Sequence, residues 1–185
     1  MLVFWRHGYE TSSIVDLTTA MGITAPSLYT AFGDKKRLFL EAMRRYVGDP
    51  ALIEATIAEA RSALDAARET MRAAARTYTG EATPKGCLLA SAAASGSAAS
   101  ADVHEAAADV RRAITTCLQS RIARDVAEGV LPPGTNAEAL AGLIMAVNQG
   151  MSVLARDGAS RAHLLAIVDA ALLAWPSRAD SGPGF

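Results

Sequence analysis

Apolar residues recur three and four positions apart along nearly the whole chain. Ile14, Leu17, Ala20 and Met21 open the pattern and predict an amphipathic helix from about Ser13 to Met21. Glycine and proline punctuate what surrounds it. A short helix is expected over Leu2 to His7, another from about Pro26 to Phe32, and a fourth from about Lys35 to Val47. Asp49 and Pro50 then open about thirty residues of strong helix formers, read as one long helix ending at Gly80. A helix from about Cys87 to Ala98 follows, then a low-complexity Ser/Gly/Ala stretch over Ser95 to Asp102, expected to be kinked or frayed. Three more helices are expected: about Asp102 to Glu128, from a cap at Thr135 or Asn136 to about Asp157, and from a cap at Ser160 to before Pro176. No segment alternates with period two for long enough to propose a strand, so the fold class is all-α.

The last two of these helices carry more apolar surface than one small domain covers. Leu140, Leu143, Ile144, Val147, Met151 and Leu154 form one stripe, and Gly142, Ala146 and Gly150 would admit a second helix closely. The final helix is apolar nearly all round through Leu164, Leu165, Ile167, Val168, Ala171, Leu172 and Trp175. A homodimer through a four-helix bundle is therefore expected, with Leu143, Val147, Gly150, Leu164, Val168, Ala171 and Leu172 at its interface.

Near the amino end, "MGITAPSLYTAFGDKKRLF" breaks a helix at Gly22 and restarts it on Pro26. Glycine supplies the left-handed backbone of a sharp turn, Ile23 plugs the gap between the helices, Thr24 can cap the second, and Pro26 lies in its first turn. Leu28, Ala31 and Phe32 face the core with Leu17, which leaves Ser27, Tyr29 and Thr30 outward. This is helix-turn-helix spacing, in which the second helix enters a major groove. Lys35, Lys36 and Arg37 then occupy a helix first turn, where the macrodipole disfavours cations; beside a phosphate that penalty becomes an anion site. Net charge is −1, with six Lys or Arg against four acids in residues 1–47. That excess is too mild to argue for nucleic acid unaided.

"GYETSSIVDLTTAMGITAPSLYTAFGDKKRLFLEAMRRY" resembles the DNA-binding domain of the tetracycline-repressor (TetR) family of bacterial transcription regulators, with G-I-x-x-x-S-L-Y-x-x-F-x-x-K intact. The resemblance covers about Phe4 to Tyr46, and "PKGCLL" and "NQGMSVLARDGASRAHL" are similar to the regulatory half of many members. It implies that Ser12 and Ser13 approach a phosphate, that Thr24, Pro26, Ser27 and Thr30 face the bases of double-stranded DNA, and that Tyr29 and Lys35 hold the backbone. Ala25 and Ala31 offer only methyl contacts. The implied layout is a helix-turn-helix domain over 1–47, a helical regulatory and dimerisation domain over 48–176, and a flexible tail over 177–185. The implied function is a repressor released from a palindromic operator by a small apolar ligand. Members usually carry a basic arm and a full first helix, whereas only three residues precede Phe4 here. A second reading follows: a dimeric small-molecule-binding protein with impaired DNA binding.

Composition narrows the alternatives. At 51% hydrophobic with 5% aromatic residues, the core is expected to rest on Ala, Leu, Val, Ile and Met. Met71, Tyr78, Cys87, Leu88, Leu118, Met145, Asn148 and Gln149 are candidates to line a ligand cavity, a few polar groups in an apolar wall being the usual character of such sites. His7, His104 and His163 lack metal-ligand spacing, and Cys87 and Cys117 form no C-x-x-C, so neither catalytic residues nor a metal or other cofactor are expected. The two cysteines are read as reduced thiols, with a redox switch as the alternative. "HLLAIVDAALLAW" is cut by Asp169 and too short for a membrane span, and no signal peptide is legible, so a cytoplasmic protein is expected.

Overall fold

The computed structural model of the protein describes residues 1–92 and 100–176. Among these residues there are ten helices and no strand: α1 (Leu2–His7), α2 (Ile14–Met21), α3 (Ala25–Phe32), α4 (Lys35–Val47), α5 (Pro50–Ala58), α6 (Ala63–Tyr78), α7 (Leu88–Ala92), α8 (Ala101–Ala127), α9 (Ala137–Arg156) and α10 (Arg161–Leu172). The expected tail, the part of the expected Cys87 helix beyond residue 92 and residues 95–99 of the Ser/Gly/Ala stretch lie outside the described residues; Ala101 and Asp102 are already helical.

The amino-terminal helices close on an aromatic cluster. Phe4 meets Phe39 edge-on at 5.1 Å, Tyr9 meets Phe39 at 5.3 Å, and Leu17 and Leu28 complete the core. Such edge-to-face pairs each add roughly 0.5–1.5 kcal/mol beyond the area they bury. Aromatics are scarce overall, but seven of the ten fall within residues 1–46, so this half departs from the expected aliphatic core. The short α1 is pinned rather than loose: Phe4 and Trp5 are both buried.

Behind this head, α6, α8, α9 and α10 form the larger half. The expected single helix after Pro50 is two helices. Ser62 caps α6 by accepting from the Asp65 N–H at 3.1 Å. The broken turn is held from α8: Arg121 donates to the Ala60 carbonyl at 3.1 Å, Arg124 donates to the Ala58 carbonyl, and the Asp125 carboxylate accepts from the Ala63 N–H at 2.7 Å. Arg121 and Asp125 also pair with each other, both buried. Carbonyls and amides that a continuous helix would satisfy internally thus find partners on another element.

Leu164 and Val168 face inward from α10 and are fully buried within the single chain, so as expected interface residues they are corrected to core. Packing against α6 satisfies the inner stripe of α10, and the other sides of the helix carry the exposed Ala166 and Ala170. On α9, Ile144, Met151 and Ala155 turn inward, while Gly142, Leu143, Ala146, Gly150 and Val153 are exposed. By length and composition α9 could cross a membrane, although only 28% of its apolar window is buried inside the chain. That face of α9 is uncovered within the single chain.

Candidate nucleic-acid interface and effector cavity

Local chemistry sets the angle between α2 and α3. Ser13 and Asp16 form a reciprocal capping box: the Asp16 N–H donates to Ser13 Oγ at 3.1 Å and the Ser13 N–H donates to Asp16 Oδ2 at 2.9 Å. These bonds hold the Asp16 carboxyl below the usual carboxylate range. Gly22 closes α2 in the left-handed region, at φ 66°, and Thr24 caps α3 by accepting from the Ser27 N–H.

Thr24, which caps α3, and Pro26, Ser27, Tyr29 and Thr30 on it are all exposed, with Leu28 buried behind them; Ala31, expected to face the core, is exposed too, because a methyl so near the end of this short helix finds no neighbour to cover it. Their hydroxyls are partly committed. Thr24 Oγ1 and Ser27 Oγ share a hydrogen bond at 2.9 Å, and Thr30 Oγ1 donates to the Pro26 carbonyl at 2.9 Å. Each oxygen keeps acceptor capacity, and only one proton of the Thr24–Ser27 pair is free to point outward. Tyr29 is 47% exposed.

Ser12 and Lys35 have additional partners that sequence does not reveal. Ser12 is fully buried and its Oγ donates to the Gly8 carbonyl at 2.6 Å, so its side chain clamps the α1–α2 turn instead of reaching a phosphate. Ser13 beside it is exposed. Lys35 donates to the Glu10 carbonyl at 3.2 Å and lies 4.6 Å from the centre of the Tyr9 ring; partial burial pulls its pKa down. An ammonium has three donors, so Lys35 can serve this turn and still approach a phosphate. Lys36 pairs with Asp102 at the start of α8 at 2.7 Å, and the Arg37 side chain lies against Gly33. The basic first turn of α4 therefore has partners within the fold as well as a potential anion.

A cavity of about 250 Å³ lies in the regulatory half, between α4 to α6 on one side and α7 to α9 on the other. Tyr78, Cys87, Met145, Asn148 and Gln149 line it, joined by Tyr46, Leu89 and Arg111. Met71, Leu88 and Leu118 do not: all three are core residues, and the α7 leucine that reaches the cavity is Leu89. One position on a helix rotates a side chain by about 100°, which is why the register was not legible from spacing alone. Tyr46 donates to Cys87 Sγ at 3.5 Å, and burial together with the neighbouring thiol pushes the Tyr46 and Tyr78 phenols well up, so both remain protonated donors. Cys117 lies on the other side of α8, beside Glu54 and Arg124, and burial raises its thiol pKa. A thiol held protonated is a poor redox trigger. Both cysteines are free.

A family described as bacterial regulatory proteins, tetR family, matches residues 1–42, and one described as tetracyclin repressor-like, C-terminal domain, matches residues 63–171. The chain belongs to the TetR family. Its members are transcription regulators, and the helix-turn-helix of α2 and α3 is their DNA-binding element. This TetR-family chain is 34% identical to the HTH-type transcriptional repressor ComR of Escherichia coli (strain K12) over 178 residues, 95% of the chain and 85% of that relative. The HTH-type transcriptional repressor BdcR of the same organism is 29% identical over 166 residues, 89% of the chain and 79% of that relative. Among solved structures, a cysteine mutant of the TetR family regulator CifR, complexed with 26 bp double-strand operator DNA, superposes with a TM-score of 0.87 at 39% identity, covering 95% of this chain and 92% of that one. A putative TetR regulator from Rhodococcus sp. RHA1 is 34% identical with a TM-score of 0.65, covering 94% and 93%.

Proposed function

We propose that this TetR-family chain is a cytoplasmic repressor that binds a palindromic operator as a homodimer and releases it when a small molecule fills the cavity beneath α7. The observation that carries the reading is one exposed face of α3, bearing Thr24, Pro26, Ser27, Tyr29 and Thr30 on a head whose core is fully packed. The likeness to a 39% identical regulator bound to operator DNA supports it. The buried Phe4 and Trp5 weigh against impaired DNA binding, because a six-residue α1 already completes the head's core. Residues 1–47 then read DNA and 48–176 sense and dimerise.

Two α9 and two α10 helices meeting across a two-fold axis would cover the exposed Leu143, Gly150 and Val153 and place two α3 helices about 34–36 Å apart, one turn of the duplex. Fluorescence anisotropy with the DNA upstream of its own gene, together with light scattering, tests the reading. Leu143→Glu should yield monomers that no longer retain operator, and a wild-type chain that is monomeric or indifferent to that DNA would sink it.

A further inference from the structure

This inference deepens the effector reading above and rests on it. The cavity's lining is unbalanced in charge. Arg111 is its sole charged lining residue, and no Asp or Glu lines the cavity among the described residues. Arg111 is half-buried, donates from Nη1 to the Leu89 carbonyl at 3.1 Å, and has no carboxylate within ion-pair distance among those residues. Its neighbour Arg112, by contrast, is paired with both Glu105 and Asp109. A half-buried guanidinium facing a cavity without a countercharge favours an anion there. The Tyr46 and Tyr78 hydroxyls also line the cavity, with the Tyr46 proton already given to Cys87 Sγ. Asn148, 5% exposed, has a buried Oδ1 that accepts from nothing among the described residues and so calls for a donor, not for the anionic head.

The cavity also has a direction. Ile53, Thr70, Ala73 and Ile114 line both it and a groove of about 690 Å³ between α5 and α6, where apolar Leu52, Ile57, Ala60 and Ala66 stand beside charged Glu59, Arg61, Asp65, Glu69 and Arg76. Arg111, Met145 and Gln149 instead border a second opening, a depression between α8 and α9. A guanidinium toward one opening and the apolar side chains of Ile53, Ala73, Leu52 and Ile57 toward the other specify the two ends of a ligand.

We propose that the cavity binds a monocarboxylic acid with an extended apolar body, its carboxylate at Arg111 and its chain running past Ile53 and Ala73 into the α5–α6 groove. Charge selects the head and the groove accepts the tail. A carboxylate on Arg111 would draw on the guanidinium that holds Leu89 of α7, and α7 packs against α1 of the reading head.

The test titrates the full-length protein with decanoate, 1-decanol and decylamine by calorimetry, and repeats the series on protein bound to labelled operator. Decanoate should bind about tenfold more tightly than either analogue, the gain of one charge-assisted pair. Arg111→Gln should bring decanoate to within about twofold of decanol, and Arg111→Lys should recover most of the preference. Equal binding of the alcohol or the amine by the wild-type chain, or no binding of any of the three, overturns the proposal; the wild-type series decides this whether or not a variant folds. Decanoate that binds with the stated preference but leaves operator bound would instead overturn ligand release and leave the anion site standing.

Discussion

The indole N–H of Trp5 donates to the Gly86 carbonyl at 2.8 Å, joining α1 to the loop before α7 across 81 residues of sequence. Arg156 of α9 closes the same knot by donating to the carbonyls of Trp5, at 3.2 Å, and Cys87, at 3.3 Å. The Cys87 N–H donates to Ser152 Oγ at 2.8 Å, and the Trp5 ring meets Tyr46 edge-on at 4.8 Å. The helix-turn-helix head and the carboxy-terminal half are thus joined by directional bonds, beside a cysteine and a tyrosine that line the cavity.

Gly86 should tolerate no side chain. Its φ is 79°, and a Cβ would sit 2.9 Å from the Ser152 carbonyl oxygen and 2.6 Å from Arg156 Nε. Gly22 has a comparable φ of 66° but open space around it. Gly22→Ala should cost about 1–2 kcal/mol, the left-handed penalty alone. Gly86→Ala should cost about 1–3 kcal/mol more, because backbone must shift as well. Denaturant titration of both variants checks the difference, and equal losses would show that the knot yields without strain.

Asp125→Ala should destabilise the protein by about 3–5 kcal/mol, since it leaves Arg121 buried and unpaired. Replacing both partners with apolar residues often restores stability when an ion pair stands alone. Here it should not, because the Ala63 N–H and the Ala60 carbonyl would lose their partners too. Thermal unfolding of Asp125→Leu and of the double variant Arg121→Met, Asp125→Leu should therefore show both well below wild type.

That clip also marks the limit of what the sequence reveals. The helix-turn-helix was legible to within a residue because its signals are local: Ser13 capping with Asp16, Gly22 in the turn, and Thr24 and Pro26 at the restart. The break between α5 and α6 was not, because "AEARSALDA" favours helix throughout and the groups that satisfy the break come from some 60 residues away. One local signal was present, since Ser62 followed by Asp65 has the spacing of a helix start. Inward and outward faces of α10 could not be told apart because the helix is apolar on all sides, so Leu164 and Val168 read the same as surface leucines. Solvated faces were read well wherever polar residues marked them, as on α3.

The Lys36–Asp102 bridge between α4 and α8 should be visible as a pH window. The Lys36 ammonium and its hydrogen bond hold the Asp102 carboxyl below the ordinary range, and Asp102 raises Lys36 in turn. A depressed carboxyl contributes above its unfolded pKa of about 3.9, and the contribution disappears as pH falls through the lower folded value. The raised lysine contributes below its unfolded pKa of about 10.4 and loses the contribution as pH rises through the folded value. The bridge is therefore intact at neutral pH. Carboxyl carbon NMR should find Asp102 titrating below a reference aspartate, and Lys36→Met should return it to the ordinary value.

Contacts to phosphate and to bases should separate by salt and by sequence. Tyr29→Phe removes an exposed hydroxyl without touching the core, so it should weaken all duplexes alike and leave the salt slope nearly unchanged, since a phenol releases no counterion. Lys35→Ala should lower the slope by about 0.9 for the one phosphate charge lost. It should also destabilise the head, because the ammonium bonds the Glu10 carbonyl and covers the Tyr9 ring. Ser27→Ala should act on sequence preference. It frees Thr24 Oγ1 from its 2.9 Å partner while removing the acceptor at position 27, so the operator profile should shift by about 1–3 kcal/mol at one base pair if that oxygen reads a base. Thr30→Ala should shift it less, because the Thr30 proton is already donated to Pro26 and only acceptor capacity and a methyl are presented outward. Binding selection from a randomised duplex at two salt concentrations distinguishes the four variants. A Ser27→Ala profile identical to wild type would move base reading away from the start of α3 and onto DNA shape.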